Sequence, residues 1–319
     1  MKRKKIGIVL LGVSMISVLF SSVRPQEKEL EGNVSLSGAW ALYPMALKWA
    51  EEFRRLHPRV RLDVQAGGAG KGIADALAGV VDFGMVSRAI HPAEVEKGAF
   101  AIAVCRDAVV PTISEKNPFL SQIIEMGVKK ETFDAVWITE EAKTWGNVLG
   151  TGDKTPLHVY TRSDACGAAE TWADFLGKRQ EDLKGVGVYG DPGLAEAVRR
   201  DPLGLGYNNI NYVYDAKTKK PVQGIMILPI DLNRNGKIDE EENFYRNRDT
   251  LTRAIASGAY PSPPARDLYL VTKGKPEKKT LIEFLKWILG DGQQYIPETG
   301  YIALSPEKLA EGLQKIGAR

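Results

Sequence analysis

The sequence predicts an α/β protein of two lobes on mixed, mostly parallel sheets, with the chain crossing between them twice at a hinge. Three observations lead there. Strand-like and helix-like segments alternate from residue 33 onward. One long apolar stretch carrying two prolines interrupts the alternation, which then resumes. Finally, 319 residues with 44% apolar and 26% charged side chains are enough for two cores.

In chain order, Lys2 to Lys5 form a positive segment, and Ile6 to Phe20 an apolar run too short for a comfortable membrane span. Residues 1–22 therefore read as an export signal, which places the protein in the periplasm or another extracytoplasmic space. Leu19 and Phe20 depart from the small-x-small cleavage pattern, so a cut near Ser21 and Ser22 and an uncleaved anchor both stay open. Removing the four positive charges of this segment takes the formal charge from +3 to −1. The remaining basic residues are scattered, with no basic-aromatic ladder, and nucleic acid is not an expected partner.

"NVSLSG" reads as a strand, and "ALYPMALKWAEEFRRLHP" as a helix with Leu42, Met45, Ala46, Trp49 and Phe53 on one stripe and a stop at Pro58. "RVRLDVQAGG" alternates with period two, "GKGIADALAG" is helical and "VVDFGMVS" a buried strand, completing βαβαβ. "AFAIAVCRDAVVPTISEKNP" is the longest apolar strand region, expected to break at Pro111 and Pro118, where the chain changes lobe. Alternation returns in "LHVYTRSD", "AAETWADFLG", "GVGVYG", "GLAEAVRR" and "GLGYNNINYVYD". "RDLYLVTKG" is a further strand, and "KKTLIEFLKWILGDGQQYI" and "SPEKLAEGLQKIG" are helices expected to pack on the first lobe. The expected division is 33–110 with 263–319 for lobe 1 and 111–262 for lobe 2.

Ligands of such sheets bind where strands end and loops open. Four small-residue junctions lie there: "SGAWALYP" (37–44), "GGAGKG" (67–72), "VDFGMVSR" (81–88) and "TRSDACGA" (161–168). Helix N-termini present unpaired N–H donors and a positive dipole end, so together the junctions suit a small anion, with Arg88 and Arg162 as planar charged forks. Each junction alone reads more simply as a tight turn. "GGAGKG" is not a phosphate-binding P-loop, because Gln65 and Gly72 stand at its first glycine and its Ser/Thr, and its glycine spacing is not the dinucleotide fingerprint.

These stretches, in this order and spacing, make the chain resemble the periplasmic phosphate-binding proteins of ABC importers, with "SLSGAWALYP", "QAGGAGKG", "VDFGMVSR", "YTRSDACGAAETWADFLG" and "DPLGLGYNNINYVYD" carrying the likeness over nearly the whole mature chain. The resemblance implies the type II periplasmic-binding-protein fold, an inorganic oxyanion ligand, ABC permease membrane subunits as partners, no catalysis and a monomer. Carried over by position, the anion site would comprise Leu42, Tyr43, Ala69, Gly70, Ser87, Arg88, Arg162, Cys166, Gly167 and Ala168. Several family hydroxyls are missing, and Ser87 stands where the family has an aspartate. Phosphate, which still carries a proton at neutral pH, needs an acceptor that Asp164 can supply; sulfate, molybdate and tungstate need none. Phosphate leads, with those oxyanions as alternatives.

A hydrolase using Cys166 with His158 is the rival reading; it lacks an orienting group, and binding is favoured. Cys105 and Cys166 are the only cysteines, and a disulfide between them is the less favoured expectation.

"DLNRNGKIDEEE", residues 231–242, matches the EF-hand calcium loop at each required position. Asp231, Asn233, Asn235, Asp239 and Glu242 would be side-chain ligands, Lys237 would ligate through its carbonyl, and Gly236 makes the turn. Structural calcium is the expected cofactor. A signalling or adhesion module held together by calcium is the third class considered.

Overall fold

The computed structural model describes residues 29–318; the expected export signal at 1–22 lies outside them. The chain begins with β1 (Gly32–Gly38), α1 (Tyr43–Leu56), β2 (Val60–Ala66), α2 (Ala69–Ala78), β3 (Phe83–Val86) and α3 (Pro92–Glu96). β1 pairs in parallel with β2 and β3, as βαβ units require. On α1, Met45, Ala46, Trp49 and Phe53 are buried at helical spacing, and Pro44 sits in the first turn, where its missing N–H costs no helical bond.

The 16-residue strand β4 (Ala99–Ser114) follows and runs on without interruption through Pro111, contrary to the expected break. Proline is tolerated because its carbonyl still accepts from the Leu228 amide at 2.9 Å, while strand neighbours supply the ladder. Next come α4 (Leu120–Met126), α5 (Lys130–Trp137), α6 (Trp145–Leu149), β5 (His158–Arg162), α7 (Gly167–Phe175), β6 (Val186–Val188), α8 (Gly190–Arg200), β7 (Gly204–Asn209), β8 (Ile225–Ile227) and α9 (Arg248–Ser257). The short helices α4, α5 and α6 were not legible as periodic patterns, which need two or more turns. β9 (Ala265–Lys273), α10 (Lys279–Leu289), α11 (Ile296–Thr299) and α12 (Pro306–Ile316) complete the described chain.

The strands follow the order β2-β1-β3-β9-β4-β7-β5-β6, with β8 also on β4. Among the described residues, the antiparallel pairings between the named strands all involve β4 or β9, the two strands that cross between lobes. Two separate cores flank this crossing. One gathers Trp49, Phe53, Phe83, Cys105, Leu268 and Phe284, the other Ala108, Trp137, Trp145, Trp172, Tyr207 and Ala265. Phe53 meets Phe284 edge-on at 4.9 Å, so α10 packs on the first core, and Trp172 stacks on Tyr207 at 5.7 Å in the second. Truncating any of these rings to alanine would cost about 3–5 kcal/mol. Between the cores, on neighbouring strands, the buried residues turn polar: Asp107 pairs in register with Arg266.

Candidate functional site

The end of β5 points Arg162 into the seam between the cores, where its side chain is wholly buried. Its Nε and Nη2 donate to both oxygens of Asp164 at 2.8 and 2.7 Å, and its Nη1 donates to Asp191 at 2.7 Å. Burial alone opposes the guanidinium charge, but the Asp191 and Asp164 carboxylates outweigh it and raise its pKa. Asp191, at the start of α8, also accepts from the Asn209 side chain at 2.6 Å, and Arg266 reaches the same Asn209 as well as Asp107 and Thr171. A continuous buried chain of charged and amide groups thus runs from the β5 turn to the crossing strands.

The turn itself is held from behind. Gln180 accepts from the Cys166 amide at 3.1 Å and donates to the Asp164 carbonyl at 2.7 Å. Cys166 caps α7, its sulfur accepting from the Ala169 amide at 3.4 Å. The amides of Gly167 and Ala168, the first two of α7, meet no protein acceptor among the described residues.

Across the seam, Gly67 and Gly68 lead into α2. Gly68 adopts φ +89°, and a Cβ there would lie 2.9 Å from the Ala165 carbonyl oxygen and 3.1 Å from Asp164 Oδ2, so glycine alone fits. The Gly70 amide donates to the Ala165 carbonyl at 3.1 Å, tying the first turn of α2 to the lobe 2 turn, while the Ala69 amide meets no protein acceptor among the described residues. A Cβ on Gly167 would fall 2.2 Å from the Ser87 carbonyl, which brings β3 equally close to α7.

Other expected site residues are placed differently. Leu42 lies with its side chain in the first core, and the amides of Leu42 and Tyr43 donate to Ala39 in their own turn at 3.1 and 3.2 Å. Arg88 is not a free fork: it donates to Glu94 at 2.6 and 2.9 Å and to the Ala89 carbonyl, and its Nε pairs with Glu170 of α7 at 2.9 Å. His91 meets the other Glu170 oxygen at 2.8 Å. Arg88, His91 and Glu170 thereby form a latch across the seam. These residues, with Glu94, Gly70 and Ala165, line a cavity of about 780 Å³. Glu94, Glu170, Asp191, Asn209, Asp107 and Arg266 carried no local motif; each matters only through partners brought together by folding.

The thiol chemistry of the rival reading is not supported by this geometry. Burial pushes Cys166 up to about 12, and His158 bonds to Asp201 at 2.7 Å instead of meeting Cys166. Cys105 and Cys166 are both free, each in a different core. No helix among the described residues is long and apolar enough to cross a membrane.

Two lobes joined by two strands, with helix N-termini facing each other across the seam, define a cleft-type binding protein. The profile described as the PBP superfamily domain matches residues 24–292, and the chain belongs to that superfamily. It is 28% identical over 310 residues to the phosphate-binding protein PstS of Pseudomonas aeruginosa, covering 88% of this chain and 86% of the relative. To the Staphylococcus haemolyticus phosphate-binding protein PstS it is 23% identical over 321 residues, 96% of this chain and 94% of the relative. The fold is shared with a Clostridium perfringens protein, assigned as a phosphate ABC transporter substrate-binding protein and solved with bound phosphate. That likeness has a TM-score of 0.70 at 20% identity, over 86% of this chain and all of the other.

Proposed function

We propose that this protein is an extracytoplasmic solute-binding protein that holds phosphate between its lobes and delivers it, as a monomer, to the membrane subunits of an ABC permease; it is not an enzyme. The observation that carries this reading is the Arg162–Asp164 pair, which faces the start of α2 across the seam beside the free first amides of α7. Guanidinium and amide N–H groups are the donors an oxyanion takes, and helix N-termini add favourable dipoles. Phosphate still bearing a proton can donate it to the Asp164 carboxylate, whereas sulfate, with no proton, would meet carboxylates it cannot satisfy. The names of the relatives and membership of the superfamily support the same reading. Within it, Ala69, Gly167 and Ala168 contribute the backbone amides that meet no protein acceptor among the described residues, Gly70 holds the two turns together through Ala165, Asp164 is the acceptor and Arg162, which anchors Asp164 and Asp191, supplies positive charge beside the anion, while β4 and β9 serve as the hinge.

The test is calorimetric titration and thermal shift with phosphate, sulfate, molybdate and tungstate. Phosphate is expected to bind and raise the melting temperature, with sulfate at least about tenfold weaker, as a missing charge-assisted hydrogen bond implies. A chain that binds none of the four overturns the reading.

A further inference from the structure

The loop between β8 and α9 takes no part in the cleft, yet its twelve residues carry the oxygen groups of an EF-hand site in order. Asp231, at the first position, accepts from the amides of Asn235 and Gly236 at 3.2 and 2.9 Å. Glu242, at the twelfth, reaches back to the amides of Leu232 and Asn233 at 2.7 and 2.8 Å. The loop's two ends are thus folded onto one turn, which Gly236 closes at φ +83°. Asp239 lies at the rim, held by Lys237 at 2.8 Å and by the side-chain amides of Asn233 and Asn235 at 2.9 and 2.6 Å.

A second observation, independent of the motif, comes from charge burial. Five carboxylates are buried among the described residues: Glu52, Asp107, Asp191, Asp231 and Glu242. Three have a cation, since Glu52 pairs with Lys48 at 2.9 Å, Asp107 with Arg266 at 2.9 Å and Asp191 with Arg162 at 2.7 Å. Asp231 and Glu242, only 2% and 5% exposed, have no cationic partner among the described residues, and both belong to this loop. Buried carboxylates are paired with a cation or coordinate a metal, because an uncompensated charge removed from water is strongly unfavourable.

The acidic groups do not form a compact cluster of three metal-binding side chains among the described residues. The donor set is instead mixed: carboxylates, two amide oxygens and a main-chain carbonyl. All are hard oxygen donors, and such a flexible set suits the six to eight ligands of calcium better than the rigid octahedron of magnesium. We propose that residues Asp231–Glu242 bind one calcium ion through Asp231, Asn233, Asn235, the Lys237 carbonyl, Asp239 and Glu242. The ion supplies the missing counter-charge and pins a segment that docks on the helices before β5. There, the Ile238 amide donates to Glu125 at 2.8 Å, the Asp231 amide to Val128 at 3.1 Å, and Arg234 pairs with Glu131 at 2.8 Å.

The full chain, stripped of metal, is titrated calorimetrically with calcium chloride and separately with magnesium chloride, and melted with and without chelator. One calcium per chain is expected, with magnesium much weaker, a melting temperature several degrees higher with calcium, and unchanged phosphate affinity. Glu242→Gln and, at an exposed position that spares the core, Asn235→Ala are each expected to weaken calcium binding by about tenfold or more. No calcium uptake by the stripped protein, equal binding of magnesium, or undiminished binding by both variants overturns the proposal. Failure of phosphate binding leaves these readouts intact, so the two readings fail separately.

Discussion

Asp107 and Arg266 face each other in register on β4 and β9, joined by a 2.9 Å ion pair at the boundary between the two cores. The pair lies where the chain crosses from one lobe to the other, and Arg266 continues into Thr171 and Asn209 of lobe 2. Removing one partner leaves a buried charge uncompensated, which costs about 3–5 kcal/mol. Asp107→Ala should therefore unfold at markedly lower urea than the wild type, and a variant of unchanged midpoint would remove this pair from the account of stability.

The same carboxylate predicts a pH dependence. Burial pushes Asp107 up to about 6 despite Arg266. Its folded pKa thus exceeds the ordinary aspartate value of about 4, so between these values the folded state holds more protons than the unfolded chain. The contribution of Asp107 to stability should be greatest below about pH 4, decline as pH rises to about 6, and level off above. Urea melts at pH 4.5 and 7 should show Asp107→Asn gaining stability relative to the wild type as pH rises; a parallel response contradicts the shift.

Arg162→Lys keeps a positive charge but cannot bond both Asp164 oxygens and Asp191 at once. It should weaken phosphate binding by more than about tenfold, as the loss of a bidentate, buried interaction implies. Calorimetry on this variant, with circular dichroism confirming the fold, decides the matter. Unchanged affinity would move the anion away from the β5 turn.

Glu170 receives Arg88 and His91 from across the seam at 2.9 and 2.8 Å. Its side chain is 30% exposed, so solvent screens the contact and the coupling is modest, about 1 kcal/mol or less. Glu170→Gln should speed phosphate release a few-fold in stopped-flow measurements, with little change in association. An unaltered release rate would mean that the latch adds nothing to closure.

Cys166, pushed up to about 12 by burial, and Cys105, also raised by burial, should both resist thiol reagents in the native protein. Under non-reducing conditions, denaturant should release two titratable thiols; none would indicate a disulfide. Cys166→Ser should retain phosphate binding, because the proposed contribution of this turn comes from the amides that follow it.

The sequence alone determined the order of α1, β2 and α2, since the spacing of Met45, Trp49 and Phe53 and the alternation of "RVRLDV" are local properties of the chain. It also marked the β5–α7 turn, because Arg162 and Gly167 fall within one short motif. Tertiary structure decided what those residues meet. Asp191 reaches Arg162 across 29 residues of chain and Asn209 reaches Asp191 across a further 18, and no periodicity encodes such pairings. Arg88 has the charge for an anion, but the fold sets Glu94 and Glu170 against it and makes it part of the latch across the seam. Pro111 illustrates the same limit: as a residue it argues for a strand end, yet β4 continues through it, with its carbonyl accepting from the Leu228 amide of a segment more than a hundred residues away. Propensity and spacing act within a few residues, whereas burial, counter-charge and hydrogen-bond satisfaction are settled only once distant segments share one interior.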